Sequence, residues 1–318
     1  MRSTTRGLIR RGALALSVAV IAGMAVAPAA SAADDQLTPE SVQAALEGTA
    51  RVSGIPSVLE GARTRSDARR GVDSTLTIET PRAEAVTIEP QSRGEAVSLP
   101  SGLTSFIADD GVATVPVPKT DGSVQVATVI ANADSPTMYA YTIGAGDGSK
   151  LIEVDKGYVA IADAEGNLIA GVAPAWAVDA NGDQVPTWFE IDGDTLVQHV
   201  DHSAAYEYPI VADPWVGGAW LEEYSWLTSY RVSYRPTWWG SWGCFGSVSC
   251  ASAWQATAQS ELVNAQTNGT YSARAGYSTT RNQIGCHMFG AGAKSPWNLE
   301  TNVGDLGLAG FISVGCNP

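Results

Sequence analysis

The pattern of apolar and polar residues predicts mainly β-structure in the middle of the chain. Residues 83–214 contain short runs rich in β-branched residues, separated by Asp-Gly, Asn-Gly and Glu-Gly-Asn turn sequences. The predicted strands cover residues 86–89, 113–117, 124–131, 137–143, 158–162, 168–171, 187–191, 195–200 and 206–211. Short strands joined by such tight turns are typical of antiparallel hairpins. We therefore predict an antiparallel β-sandwich or an open barrel.

A different pattern begins at Trp215 and continues to residue 318. Alternation over residues 230–237 predicts a strand, and the alanine-rich residues 252–265 predict a helix. Residues 283–286 and 306–314 are predicted as further strands. All four cysteines and eight of the ten tryptophans lie in this segment. We predict that residues 215–318 form a small α+β domain that is rich in tryptophan and stapled by disulfides.

The segment before the β-rich region has a weaker pattern. Within residues 33–82, Thr38 is predicted as the N-cap of one short helix, with Pro39 at its first position. Residues 63–70 are rich in arginine and have no apolar period. Residues 33–82 are therefore interpreted as a short helix followed by a flexible linker.

The first 32 residues are predicted to be an export signal. Arginines precede an apolar run over residues 12–27, and Ala30-Ser31-Ala32 provides a small-residue cleavage site. No later segment reaches the roughly 18 apolar residues that a spanning helix requires. We expect a secreted or cell-wall-associated protein that has no transmembrane helix once the signal is cleaved.

The charge of the chain narrows the class of partner. The chain has 19 basic and 33 acidic residues and a net charge of −14, and four of the basic residues belong to the predicted signal. A protein this acidic is a poor match for a phosphate backbone, which argues against a nucleic-acid partner. Residues 215–318 contain equal numbers of acidic and basic side chains, so the acidic excess lies before Trp215. This change in charge supports a domain boundary there.

Two segments resemble known families. Residues 208–214 read Tyr-Pro-Ile-Val-Ala-Asp-Pro, which is similar to the Tyr-Pro-Val-Val-Ala-Asp-Pro ending of a β-rich module in secreted actinobacterial proteins. Residues 286–287 (Cys-His), 297–300 (Trp-Asn-Leu-Glu) and 316–318 (Cys-Asn-Pro) resemble the ending of the bacterial domain-of-unknown-function family numbered 2599. After Glu300, Thr-Asn-Val-Gly replaces that family's Pro-Trp-Arg-Pro. The resemblances imply a module presented outside the cell and imply no reaction.

The four cysteines predict two disulfides in an exported chain, because export exposes thiols to oxidation. The residues alone leave three connectivities open, and a reactive thiol is the weaker interpretation. The resemblance to the family numbered 2599 implies that Cys286 pairs with Cys316, which leaves Cys244 to pair with Cys250.

His287 and Glu300 are the best candidate acid/base pair, because histidine titrates near neutral pH and a carboxylate fixes its tautomer. No Gly-x-Ser-x-Gly or Ser-x-x-Lys motif supplies a nucleophile. A structural role for both residues is therefore the preferred interpretation. Together with Glu300, Glu222 and Glu223 raise the alternative of a glycosidase built on two carboxylates. Neighbouring strand residues face opposite ways, so only one of these two glutamates is able to enter a site.

The tryptophans of the C-terminal segment are candidate ligand-binding residues. They are too numerous for a domain of this size to bury all of them, and exposed rings stack on sugars or anchor partner proteins. The candidates are Trp220, Trp226, Trp238, Trp239 and Trp242.

No metal site and no cofactor are predicted. Residues 179–183 place oxygens at alternate positions, but they lack the closing glutamate of a calcium loop and are interpreted as a hairpin turn. His199 and His202 are three residues apart, so in a strand they point to opposite faces. Structural roles are predicted for both histidines.

These features lead to two hypotheses about function. The favoured one is a non-catalytic binding module at or near the cell envelope, with a cell-wall glycan or an extracellular protein as partner. The alternative is a small secreted hydrolase or effector that uses His287 and Glu300. An aromatic platform favours binding, whereas convergence of His287 and Glu300 in a cleft favours catalysis. Binding is preferred because no complete catalytic constellation is present.

Overall fold

The structure is a computed structural model that describes residues 36–52, 55, 57–63, 75–78, 80, 85–91, 94–266 and 271–317. These residues belong to one compact unit that runs from residue 35 to residue 318. The predicted export signal over residues 1–32 and most of the predicted linker lie outside the described residues, so both stay predictions.

The fold of the described residues is mainly β. The strands are β1 (Leu76–Ile78), β2 (Val86–Pro90), β3 (Glu95–Ser98), β4 (Thr104–Ile107), β5 (Val112–Pro118), β6 (Val124–Ile130), β7 (Met138–Gly144), β8 (Lys150–Glu153), β9 (Val159–Ala162), β10 (Leu168–Val172), β11 (Ala177–Val178), β12 (Thr187–Asp192), β13 (Thr195–Val200), β14 (Ile210–Ala212), β15 (Trp215–Gly217), β16 (Leu221–Thr228), β17 (Arg231–Pro236) and β18 (Trp297–Glu300). The helices are α1 (Pro39–Gly48), α2 (Trp238–Trp242), α3 (Val248–Asn264), α4 (Ser272–Ala275), α5 (Ser278–Gly290) and α6 (Gly307–Ser313).

Two antiparallel sheets share one core and form the predicted sandwich. The first sheet has the order β1-β2-β7-β13-β12. The second has the order β3-β4-β5-β6-β15-β10-β9-β8, with β14 paired to both β6 and β11. Their common core is mostly aliphatic, with Ile88 and Tyr141 from the first sheet and Val126 and Ile161 from the second. Alternation along each strand therefore directs one face of each sheet into this core.

The second sheet is covered on both faces. Its outer face carries Ala127 and Val129 of β6, which pack in a second core with Val42 and Leu46 of α1. Helix α1 begins as predicted, because the Thr38 side chain accepts a hydrogen bond from the next turn and proline occupies the first helical turn. Burial on both sides explains why β6 is buried along its entire length.

The predicted hairpin turns are present at their glycines. Gly193 has a φ of +64° and lies in the turn between β12 and β13, where Asp192 pairs with Thr195. This left-handed conformation is open to glycine at little steric cost. The turn dipeptide in the sequence therefore fixed the register of this hairpin.

The C-terminal region packs directly onto the sandwich. Its sheet has the order β16-β17-β18, and its core contains many tryptophans together with α3 and α5. Trp215 of β15 belongs to the same core, as do Tyr158, just before β9, and Ala173, just after β10. Strand β15 lies between β6 and β10, so the predicted boundary before Trp215 passes through the second sheet. The two disulfides form as predicted, Cys244 with Cys250 and Cys286 with Cys316.

Two predicted strands of the C-terminal region are wrong. Residues 283–286 lie in α5, and residues 306–314 coincide with α6. Helix α5 contacts α3, α6 and β18, and buried side chains surround it. A helix that is buried on every side has no amphipathic period, so its sequence lacked the usual helical signal.

Candidate functional site

The five predicted ligand-binding tryptophans do not share one surface. Trp220 and Trp239 are only 1% and 2% exposed, and their ring centroids lie 5.9 Å apart in the C-terminal core. Rings buried this deeply present no face to a ligand, so the prediction is wrong for these two residues. Their large apolar surface stabilises the C-terminal core, in which they pack with other large aromatic side chains.

The other three candidates are partly exposed. Trp226 is held by a hydrogen bond from its Nε1 to Gln266 Oε1 at 3.2 Å, and its ring lies 5.0 Å from that of Tyr271. Trp238 and Trp242 both belong to α2, with ring centroids 6.2 Å apart. Trp242 is the candidate that lines a substantial cleft.

Local sequence places Trp242 at this cleft. Thr237 caps α2 by accepting a hydrogen bond from the Gly240 N–H at 2.7 Å. The backbone N–H of Trp239 donates to Asp121 Oδ2 of the sandwich at 2.7 Å, which connects the start of α2 to the hairpin between β5 and β6. The Cys244–Cys250 disulfide then closes the short loop that carries Phe245.

The aromatic cleft, as we call it, has a volume of about 560 Å³ and lies where the sandwich meets the C-terminal region. Backbone segments 173–177 and 184–187 form much of its wall. None of its described lining residues has a charged side chain, although the whole chain is strongly acidic. Its aromatic lining includes the rings of Tyr158, Trp176, Trp242 and Phe245.

Hydrogen bonds fix the walls of the aromatic cleft. The Tyr158 O–H donates to the Phe245 carbonyl at 2.9 Å, so the sandwich holds the aromatic loop of the C-terminal region. The backbone N–H of Trp176 donates to Asp213 Oδ1 at 3.2 Å, and the Trp176 carbonyl accepts from Gln198 Nε2 at 3.2 Å. Burial raises the pKa of Asp213 well above its usual range. These hydrogen bonds make the aromatic cleft a preformed cavity.

His287 lies on α5, away from any carboxylate partner among the described residues. Its Nδ1 is 2.9 Å from the Gln283 carbonyl, and its ring centroid is 5.6 Å from that of Trp297. Burial lowers the pKa of His287 to about 4, and the charge of Lys294 acts in the same direction. His287 is therefore a neutral imidazole near pH 7.

Glu300 is engaged by a different set of partners. One carboxylate oxygen lies 2.5 Å from Nη2 of Arg231, and the Glu300 backbone N–H and carbonyl both bond to the Gln283 side chain. Gln283 thus lies between Glu300 and His287, and no hydrogen bond or ion pair joins the two candidates in the described part of the chain. These contacts agree with the structural role that the sequence predicted for His287 and Glu300.

The other acidic candidates are also dispersed. Glu222 and Glu223 are exposed on β16, and Glu223 lies 3.4 Å from Arg235 across the strand pair. Glu261 was not predicted, yet its carboxylate accepts hydrogen bonds from the backbone N–H groups of Trp220 and Leu221. Burial raises the pKa of Glu261 to about 7.

The alternative metal sites have ordinary structural partners. The Asp179 carboxylate accepts hydrogen bonds from the backbone N–H groups of Asn181 and Asp183, which makes a tight turn. His199 pairs with Glu190 and His202 with the Tyr208 hydroxyl, each at or below 2.9 Å. Within the described ranges, no three acidic, histidine or cysteine side chains converge as metal ligands would.

Sequence reasoning missed three residues of the aromatic cleft: Tyr158, Trp176 and Phe245. They come from separate parts of the chain: Tyr158 precedes β9, Trp176 precedes β11, and Phe245 lies in the loop between α2 and α3. The Trp176 and Phe245 rings lie in loops, where apolar periodicity carries no information. An aromatic residue in a segment without apolar periodicity was the available signal.

Comparison with protein-family models, with curated proteins and with solved structures found no match. The two family resemblances of the sequence therefore stay predictions. None of the helices in the described residues has the length and apolar character needed to cross a bilayer.

Proposed function

We propose that the protein is a non-catalytic module that binds a neutral glycan in the aromatic cleft. The observation that carries this proposal is a preformed cleft with aromatic rings from two regions of the chain and no charged side chain in its described lining. The flat faces of aromatic rings pack well against the apolar C–H faces of sugars.

Polar groups at the cleft complement the rings. Gln184 is exposed at its wall and offers both a donor and an acceptor to sugar hydroxyls. No partner for Trp242 Nε1 is present among the described residues, so this N–H is also available to a ligand. Rings that supply contact area and a few directed polar groups are the usual composition of a small-ligand site.

Charge selects the kind of glycan. The acidic chain repels polyanionic polymers, and the cleft has no cationic side chain in its described lining to offset that repulsion. Neutral oligosaccharides avoid this cost. The two disulfides are typical of an oxidising compartment. We place the protein outside the cell, in the medium or on the cell wall, where neutral glycans are accessible.

The test is calorimetric titration of the full mature chain with neutral hexasaccharides of glucose, arabinose and N-acetylglucosamine. At least one should bind, and Trp242→Ala should weaken its binding at least tenfold, which corresponds to about 1.4 kcal/mol. Gln184→Ala should weaken binding less. Trp188→Ala is the matched control, because Trp188 is 51% exposed on β12 and does not line the cleft.

The proposal fails if no neutral hexasaccharide binds, or if Trp242→Ala leaves the affinity unchanged. A proline-rich peptide also prefers aromatic grooves. Binding of such a peptide in place of the sugars, with the same loss in Trp242→Ala, would make the cleft a peptide site and would overturn the glycan assignment.

A further inference from the structure

A second cleft lies at the end of α5, beside the Cys286–Cys316 disulfide. This cleft, which we call the His287 cleft, has a volume of about 600 Å³. Its walls are largely apolar, with the rings of Phe245 and Phe289 and the side chain of Ile312. Among the described lining residues, His287 is the buried polar side chain, and it is 1% exposed.

The hydrogen bond of His287 fixes its tautomer. The Gln283 carbonyl only accepts, so Nδ1 carries the proton and donates to it over 2.9 Å. The proton on Nδ1 leaves Nε2 with a lone pair on the other side of the ring. Nε2 has no hydrogen-bond partner among the described residues. Nε2 is not one of the fully buried polar atoms without a partner, so a molecule in the cleft is able to reach this acceptor. An apolar molecule that covered it would leave the acceptor unpaired, which is costly.

We infer that the His287 cleft binds a small apolar molecule that carries a hydroxyl group, a phenol or an alcohol, whose O–H donates to His287 Nε2. The apolar body of the ligand packs against Phe289, Ile312 and the disulfide, and the hydroxyl supplies the donor that the imidazole lacks. The His287 cleft shares Phe245 with the aromatic cleft, but this inference does not depend on the proposed glycan function.

The remaining groups of the His287 cleft support a hydroxyl ligand over other classes. Lys294 is an exposed cation of the lining, and its charge opposes protonation of the imidazole, which preserves Nε2 as an acceptor. A sugar carries many hydroxyl groups, and the apolar walls would leave most of them unpaired. One hydroxyl on an apolar body matches one acceptor in an apolar wall.

The test compares two probes of nearly equal shape, 4-ethylphenol and ethylbenzene, by ligand-observed nuclear magnetic resonance titration of the full mature chain. The phenol should bind at least tenfold more tightly, because a site with an unpaired acceptor discriminates against a ligand that lacks the donor. In His287→Phe, which keeps an aromatic ring and removes the acceptor, the ratio of affinities should fall close to one. Trp188→Ala should keep the wild-type ratio.

A second measurement keeps the inference testable if His287→Phe does not fold. The Nε2 resonance of His287 in ¹⁵N-labelled wild-type protein should shift on addition of 4-ethylphenol and stay in place with ethylbenzene. Equal affinities of the two probes for the wild-type protein, an unchanged ratio in His287→Phe, or an unmoved Nε2 resonance would each overturn the inference.

Discussion

The sandwich core and the C-terminal core are built from different side chains. The sandwich core consists mainly of valine, isoleucine and alanine spread over many paired strands. The C-terminal core depends on a few large rings, with Trp220, Trp239, Trp254 and Trp297 all at most 3% exposed, and it contains the Cys244–Cys250 disulfide. A core of many small contributions tolerates single changes, whereas a core of few large anchors depends on each of them.

The largest expected effect is the loss of stability when a buried tryptophan ring of the C-terminal core is removed. The Trp297 ring is stacked on that of Tyr234 at a centroid distance of 5.4 Å, and its Nε1 donates to the Ala291 carbonyl. Trp297→Ala should lower the free energy of unfolding by about 3 to 5 kcal/mol, as for other buried tryptophans. Denaturant unfolding measures this loss, and the exposed Trp188→Ala should lose far less.

The opposite result for Trp297→Ala would contradict this prediction. If Trp297→Ala keeps the unfolding midpoint of the wild type and loses 4-ethylphenol or glycan binding, Trp297 belongs to a binding site. The contrast between the two cores would then lose its strongest support.

The next largest expected effects concern the stability of the protein as the pH changes, to which His287 and Glu261 contribute in opposite directions. The pKa of His287 falls from 6.5 to about 4 on folding, so the unfolded chain binds more protons in that window. His287 thus contributes stability above pH 6.5 that is lost as the pH falls towards 4. The pKa of Glu261 rises from 4.5 to about 7, so Glu261 contributes stability below pH 4.5 that is lost as the pH rises towards 7.

Single variants separate the two groups. Between pH 7 and pH 4.5, the stability of Glu261→Gln relative to the wild type should fall by about 2 to 3 kcal/mol, because the variant lacks the stabilising proton uptake. His287→Gln should change in the opposite direction between pH 6.5 and pH 4. Unfolding curves at several pH values measure both. Parallel profiles for the wild type and both variants would show that neither group titrates as described.

The smallest expected effects come from alanine substitutions at two glycines of the sandwich, Gly193 and Gly217. An added Cβ at Gly193 has no atom within 4 Å, so Gly193→Ala bears only the left-handed backbone cost of about 1 to 2 kcal/mol. At Gly217, the added Cβ would lie 2.5 Å from Cδ2 of Trp239. Gly217→Ala should therefore cost more than Gly193→Ala in thermal unfolding. Equal costs would contradict the view that the tryptophan core is the tightly packed one.

Much of the sandwich was predictable because local signals agreed with the tertiary structure. The strand over residues 195–200 has its predicted bounds, and Thr38 caps α1 as predicted. In α5 the local signals failed, since a helix buried on all sides shows no period. The site was less predictable than the fold. Tyr158 and Phe245 meet through one hydrogen bond across 87 residues of chain, and no local pattern encodes such a contact.

The β-rich class and the hairpin turns were predictable from local residue types and spacing. The acidic charge follows from composition, and two disulfides were predictable from four cysteines in a chain with an export signal. Folding buries some of the tryptophans, pairs Glu300 with Arg231 and brings His287 to the wall of an apolar cleft. Burial and partnership depend on contacts between distant segments. The aromatic cleft likewise exists only because the C-terminal region packs on the second sheet.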